Sequence, residues 1–110
     1  MPIIYLDKNL NSEVNPMGYA ETFKALGDPV RREILTMLRK GRMSAGEISS
    51  RFDMTQATVS YHLKMLKEAD LVFEEKEKNF VYYTLNTSVI EEVMLWLAAL
   101  KGDDGNEEIR

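Results

Sequence analysis

Between Thr55 and Glu68 the chain carries contact-making side chains at helical spacing: Gln56, Ser60, Tyr61 and Lys64, with the small Ala57 among them. A glutamine amide can pair with adenine through two hydrogen bonds, hydroxyls reach bases or phosphates, lysine neutralises phosphate, and alanine is small enough to touch a thymine methyl. This is chemistry of recognition, since none of these groups is a nucleophile set beside a base. At about 100° per residue, Val59, Leu63 and Leu66 fall within roughly 60° of arc, so they form the buried face. Ala57, Ser60, Tyr61, Lys64 and Glu68 then point outward, with Thr55 and Gln56 at the exposed N-terminal end. The free backbone amides and partial positive charge of a helix N-terminus attract phosphate there.

A local field is needed, because the chain as a whole carries a formal charge of −4. Nucleic-acid binding requires only a patch of the right sign. The charge is segregated along the sequence: residues 29–42 carry Arg31, Arg32, Arg39, Lys40 and Arg42 against Glu33 alone, whereas residues 101–110 carry Asp103, Asp104, Glu107 and Glu108 against Lys101 and Arg110.

The elements that must position this surface follow from periodicity and punctuation. Tyr19, Ala20, Phe23 and Leu26 have the spacing of a short amphipathic helix ended by Gly27-Asp28-Pro29. Asp28 caps a second helix with the stripe Val30, Ile34, Leu35 and Leu38, which stops at Lys40-Gly41. Ser44 and Glu47 have capping-box spacing and open a short helix that turns Ile48 and Phe52 inward. A three- or four-residue turn around Asp53-Met54 leads to Thr55, which caps the helix carrying the contact residues. Leu71-Val72-Phe73 and Phe80 to Leu85 are β-branched and aromatic runs flanking a charged stretch, which predicts a hairpin. Asn86 or Thr87 then caps a last helix in which Val89, Ile90, Val93, Met94, Trp96, Leu97 and Leu100 cover more than one face, so that it needs two partners.

Four helices, a hairpin and a fifth helix make a mainly α fold with a β-hairpin wing, the winged helix-turn-helix, whose second motif helix enters the major groove of double-stranded DNA. The predicted organisation is an arm over residues 1–17, a DNA-binding and dimerisation domain over 18–101, and an acidic tail over 102–110. The arm is expected to be a loose tail or to pack across a second copy.

Several chemistries are not expected. Without cysteine there is no thiolate site or disulfide, and the lone His62 does not make a zinc site. No cofactor or metal is anticipated, and no enzyme, since paired acids in a motif and a glycine-rich phosphate loop are both lacking. The opening Met1 to Leu6 has only a four-residue apolar run and no preceding positive charge, unlike a signal peptide or a membrane span, so the expected location is the cytoplasm.

The stretches Ala25-Leu26-Gly27-Asp28-Pro29-Val30-Arg31-Arg32-Glu33-Ile34-Leu35 and Thr55-Gln56-Ala57-Thr58-Val59-Ser60-Tyr61-His62-Leu63-Lys64-Met65-Leu66, with a hairpin ending Tyr82-Tyr83-Thr84-Leu85-Asn86, closely resemble the ArsR-type repressors. Within that family the sequence looks most like the SdpR-like autorepressors. The resemblance implies a homodimer held by its first and last helices, acting on a pseudo-palindromic operator, with relief of repression by a regulatory partner that is a membrane protein in one version. Its implied DNA contacts are Ser44, Thr55, Gln56, Ala57, Thr58, Ser60, Tyr61 and Lys64, with Lys76 and Lys78 on an acidic, glycine-free wing. Its implied dimer interface is Phe23, Val89, Val93, Trp96, Leu97 and Leu100. Metal-sensing members carry Cys on the third helix, or His with Asp or Glu on the last; this chain has neither set.

Four readings stay open on the residues alone. His62 is either a hydrogen-bonded structural histidine or a ligand, Arg31 and Arg32 either grip phosphate or serve intramolecular partners, and Trp96 is either interface core or a stacking surface for a small molecule. A winged helix that binds protein rather than DNA is the alternative function, disfavoured by an outward face whose only carboxylate is Glu68.

Overall fold

The structure, a computed structural model, describes residues 16–102. The expected arm up to residue 15 and the tail from residue 103 lie outside the described residues. Helix α1 (Pro16–Leu26) starts before Tyr19, at a proline whose fixed φ suits a first helical turn, so the expected arm boundary after residue 17 falls inside a helix. Thr22 and Ala25 are its buried positions, whereas Phe23, expected at a dimer interface, is exposed. Helix α2 (Pro29–Met37) is capped by Asp28, whose Oδ1 accepts from the amides of Val30 at 2.8 Å and Arg31 at 3.3 Å. Desolvation opposes ionisation of Asp28, but these two bonds outweigh it and hold its carboxyl below the usual range.

A 3-10 turn (Leu38–Lys40) follows, and Gly41, at φ 137°, supplies a conformation side-chain-bearing residues avoid. The chain then forms strand β1 (Met43–Ser44), too short for any alternation to be read from sequence, and helix α3 (Ala45–Ser49). The capping box is made as its spacing predicts: Glu47 N donates to Ser44 Oγ at 3.1 Å, and Ser44 N to Glu47 Oε1 at 2.8 Å. However, α3 ends three residues before Phe52, and the connection to α4 (Gln56–Glu68) is longer than expected. Its last turn tightens, with Arg51 N donating to the Ile48 carbonyl and Phe52 N to that of Ser49, while Phe52 still packs against the core.

Helix α4 closes in a Schellman arrangement: Leu71 N donates to the Leu66 carbonyl at 3.0 Å and Asp70 N to that of Lys67 at 2.9 Å, with Asp70 at φ 60° where glycine is usual. The wing consists of β2 (Val72–Glu77) and β3 (Phe80–Leu85) in a three-stranded antiparallel sheet of order β1-β3-β2. Register pairs Val72 with Leu85 and Glu77 with Phe80, so most of the charged run expected between the strands is itself strand. Only Lys78 and Asn79 make the turn, Lys78 at φ 59°. Cross-strand pairing puts Phe73, Glu75, Glu77, Phe80, Tyr82 and Thr84 on the outer face, and Val72, Glu74, Lys76, Val81, Tyr83 and Leu85 on the other.

Ile34, Ile48, Val59, Leu66 and Leu71 are fully buried and join α2, α3, α4 and the sheet in one core. Asn86 links the ends of two elements, donating from Nδ2 to the Asp70 carbonyl at 2.9 Å and accepting at Oδ1 from Val89 N to cap α5 (Thr87–Lys101). Gly102, in the left-handed conformation, ends that helix. Of the residues expected at a dimer interface, Val93 is buried and Val89 packs against the core, so both are covered within one copy. Phe23, Trp96, Leu97 and Leu100 are exposed, joined by Met94 and Leu95, which the sequence reading left out of the interface. Among the described residues no helix is long and apolar enough to cross a membrane.

Candidate nucleic-acid interface

The outward surface of α4 exists because its other side is anchored. Val59, His62, Leu63 and Leu66 are its buried residues and span roughly 100° of arc at about 100° per residue. Gln56, Ala57, Ser60, Tyr61 and Lys64 are all exposed, Tyr61 by 54%. At the N-terminus Thr55 Oγ1 accepts from Thr58 N at 3.2 Å, and the Thr55 carbonyl accepts from Val59 N at 3.1 Å. The amides of Gln56 and Ala57 have no place in the intrahelical ladder and point out of the helix end. Lys64 lies 4.0 Å from Glu68 across an exposed turn, a pair weak enough for the ammonium to be shared with phosphate.

Three of the expected contact residues spend their hydroxyls locally. Thr58 Oγ1 is 2.9 Å from Thr55 Oγ1, and Ser44 is committed to the cap of α3. Lys76 and Lys78 are exposed near the end of the wing. The outer face of the wing also holds Arg42, just before β1: its Nη2 donates to Glu77 Oε1 at 2.7 Å, its Nη1 to Glu75 Oε1 at 3.5 Å, and its guanidinium carbon sits 3.9 Å from the Tyr82 ring centroid. In the sequence Arg42 stands out only for its charge, because its partners lie more than thirty residues away.

The base of the wing is tied to α4. Glu74 accepts from Lys67 Nζ at 2.7 Å and from the Tyr83 hydroxyl at 2.8 Å, and these bonds, Lys67 first, hold its carboxyl below the ordinary glutamate range. Burial, with the Glu74 bond behind it, pushes the Tyr83 phenol above its ordinary value.

The open readings of the arginines and of His62 resolve together. Arg32 Nη1 donates to the Leu26 carbonyl at 2.8 Å. Arg31 is buried and donates from Nε to the Ala25 carbonyl at 2.8 Å, from Nη2 to the Lys24 carbonyl at 3.2 Å, and from Nη1 to His62 Nδ1 at 3.1 Å. Both arginines therefore satisfy carbonyls that the end of α1 leaves without helical partners. Since guanidinium has no acceptor, His62 Nδ1 must accept, which places the ring proton on Nε2. Trp96 lies in an aromatic cluster with Tyr19 and Phe23, at centroid separations of 5.9 and 5.6 Å, where α5 meets α1. Among the described residues no group of three or more His, Cys, Asp or Glu could hold a metal ion.

The helix-turn-helix domain family matches residues 26–74, from the end of α1 into β2. The transcriptional repressor SdpR of Bacillus subtilis is 39% identical over 84 residues, spanning 74% of this chain and 93% of SdpR. A crystal structure of an ArsR family transcriptional regulator matches with TM-score 0.75 at 25% identity, covering 80% of this chain and 91% of that one. The chain belongs to the ArsR family. The transcriptional activator HlyU of Vibrio cholerae is 37% identical over 79 residues, 72% of this chain and 73% of HlyU. Its structure matches with TM-score 0.64, covering 80% of this chain and 96% of that one. Within the matched residues α3 and α4 are the helix-turn-helix pair, and β2 and β3 form the wing, so residues 55–68 fall on the outward helix described above.

Proposed function

We propose that this protein is a cytoplasmic, homodimeric transcriptional repressor without catalytic activity, which reads a pseudo-palindromic operator with α4 in the major groove. The observation that carries this is the face of α4: amide, hydroxyl, phenol and ammonium groups stand outward from a helix locked into the core on its other side, and no carboxylate intrudes before Glu68. Pairing is supported by the second half of α5, where Met94, Leu95, Trp96, Leu97 and Leu100 are 40% to 71% exposed on a helix with apolar side chains around most of its circumference. A second copy is the occupant that also sets two α4 helices one duplex turn, about 10 bp, or a multiple of that apart. Repression rather than activation is assigned on the likeness to the transcriptional repressor SdpR; relief of repression by a partner protein, a membrane protein among the candidates, is part of the same proposal.

Selection of duplexes from a random-sequence pool, followed by titration, tests the reading. The expected result is a two-fold related site bound about a thousandfold or more tighter than random duplex, with affinity falling steeply as salt rises. Equal affinity for selected and random duplexes would sink it and favour a protein-binding winged helix. Transcription from a promoter bearing the site should fall on adding the protein; a rise would reassign it as an activator.

A further inference from the structure

Arg31 lies on the opposite side of the molecule's logic from the DNA-reading side chains: it is 7% exposed and bonded in three directions to two other helices. Its Nε and Nη2 hold the last carbonyls of α1, where the negative end of that helix dipole favours a cation. Its Nη1 holds His62 on α4. Immediately before the two residues that carry those carbonyls, Phe23 packs on Trp96 of α5. A planar guanidinium therefore spans the gap between the helix pair that pairs with a second copy and the helix that meets DNA.

We propose that Arg31 is a positioning residue for DNA recognition: through His62 Nδ1 it fixes the setting of α4 against α1 and α5, and with it the spacing between the two α4 helices of a dimer. The inference rests on the operator-binding reading above and names what sets its geometry. Apolar packing between α4 and its neighbours α1 and α2 sets the coarse position of the helix, and a directional bond refines its rotation within that packing. The guanidinium fork is directional and rigid: with Nε and Nη2 held by carbonyls of α1, the Nη1 bond to His62 is lost if α4 turns. His62 sits beside Tyr61 on the same helix, with ring centroids 5.6 Å apart, and between Ser60 and Lys64 in sequence. A turn of α4 that broke the Arg31 bond would re-aim all three outward side chains at once. Asp28 lies near this link, its Oδ1 accepting from the Arg31 amide at 3.3 Å.

The test uses the full chain and the best duplex it selects from a random pool, together with versions whose half-sites are moved apart or together by one base pair. His62→Asn keeps an acceptor close to the Nδ1 position, His62→Phe fills the space without one, and Arg31→Met with His62→Leu replaces both ends of the bond by apolar groups. Melting temperature and dimer mass are recorded for each. The wild type and His62→Asn should bind the selected spacing about tenfold or more tighter than the shifted ones. His62→Phe, and the double variant while still folded and dimeric, should bind all spacings within about twofold, with affinity for an isolated half-site little changed. Retention of the preference in His62→Phe, or its equal loss in His62→Asn and His62→Phe, overturns the proposal. A wild-type protein that fails to distinguish its selected duplex from random DNA overturns the operator reading and this inference with it.

Discussion

Gln56 and Tyr61 stand on the outward side of α4 and Lys64 lies one turn beyond Ser60, so each can be removed without touching the core. Gln56→Ala or Tyr61→Ala should cost about 1–3 kcal/mol on the selected site and little on random duplex, measured by titration of both. Lys64→Ala should instead weaken every duplex alike and reduce the slope of log affinity against log salt by about one. This face was legible in the sequence because a helix period of 3.6 assigns inside and outside from three apolar residues. The bonds of Arg31 were not, because the histidine that decides its role is 31 positions away and both types also suit phosphate. Ser44 and Thr55 lay between these cases: their spacing announced caps, and the caps consume the oxygens that the family likeness offers to DNA.

The wing shows how far an element can be read before pairing is known. Its aromatic and β-branched ends were clear, but Glu74 to Glu77 have no strand propensity of their own and are held in β2 by register with β3 and by ion pairs with Arg42 and Lys67. Lys78 adopts φ 59°, a conformation that costs a side-chain-bearing residue about 1–2 kcal/mol relative to glycine. Lys78→Gly should therefore raise the unfolding free energy by about 1 kcal/mol in a denaturant titration, the looser unfolded chain offsetting part of the gain. The tie between Glu74, Lys67 and Tyr83 has a pH signature. Because the folded-state value of Glu74 is depressed, its stabilisation is complete above the unfolded carboxyl value, about 4.3, and is lost as pH falls through the folded value. Melting temperature should drop on acidification below about pH 5, and the drop should be shallower in Glu74→Gln, which starts lower at neutral pH. An equal drop in both would remove Glu74 from the acid response.

At the scale of the whole molecule, the sequence told that α5 was too apolar for one core, and the structure divides the helix. Its first half is covered within the copy by way of Val89, Ile90 and Val93, while its second half is left open. The boundary could not be read because residues on one helical stripe, Val93 and Leu97 among them, differ only in how far along the helix the rest of the fold extends. Leu95→Glu with Leu97→Glu should give a folded monomer by sedimentation and reduce operator affinity by at least about a hundredfold, since each half-site must then be held alone. A dimer persisting in that variant would move the interface elsewhere. The bare end of α5 also makes the protein a gauge of its own abundance. Where burial of those leucines waits on an encounter between two chains, resistance to heat should climb with concentration. Promoter occupancy in the dilute regime should then follow the square of copy number, giving a gene under such control a threshold where a monomeric reader would give a gradual response.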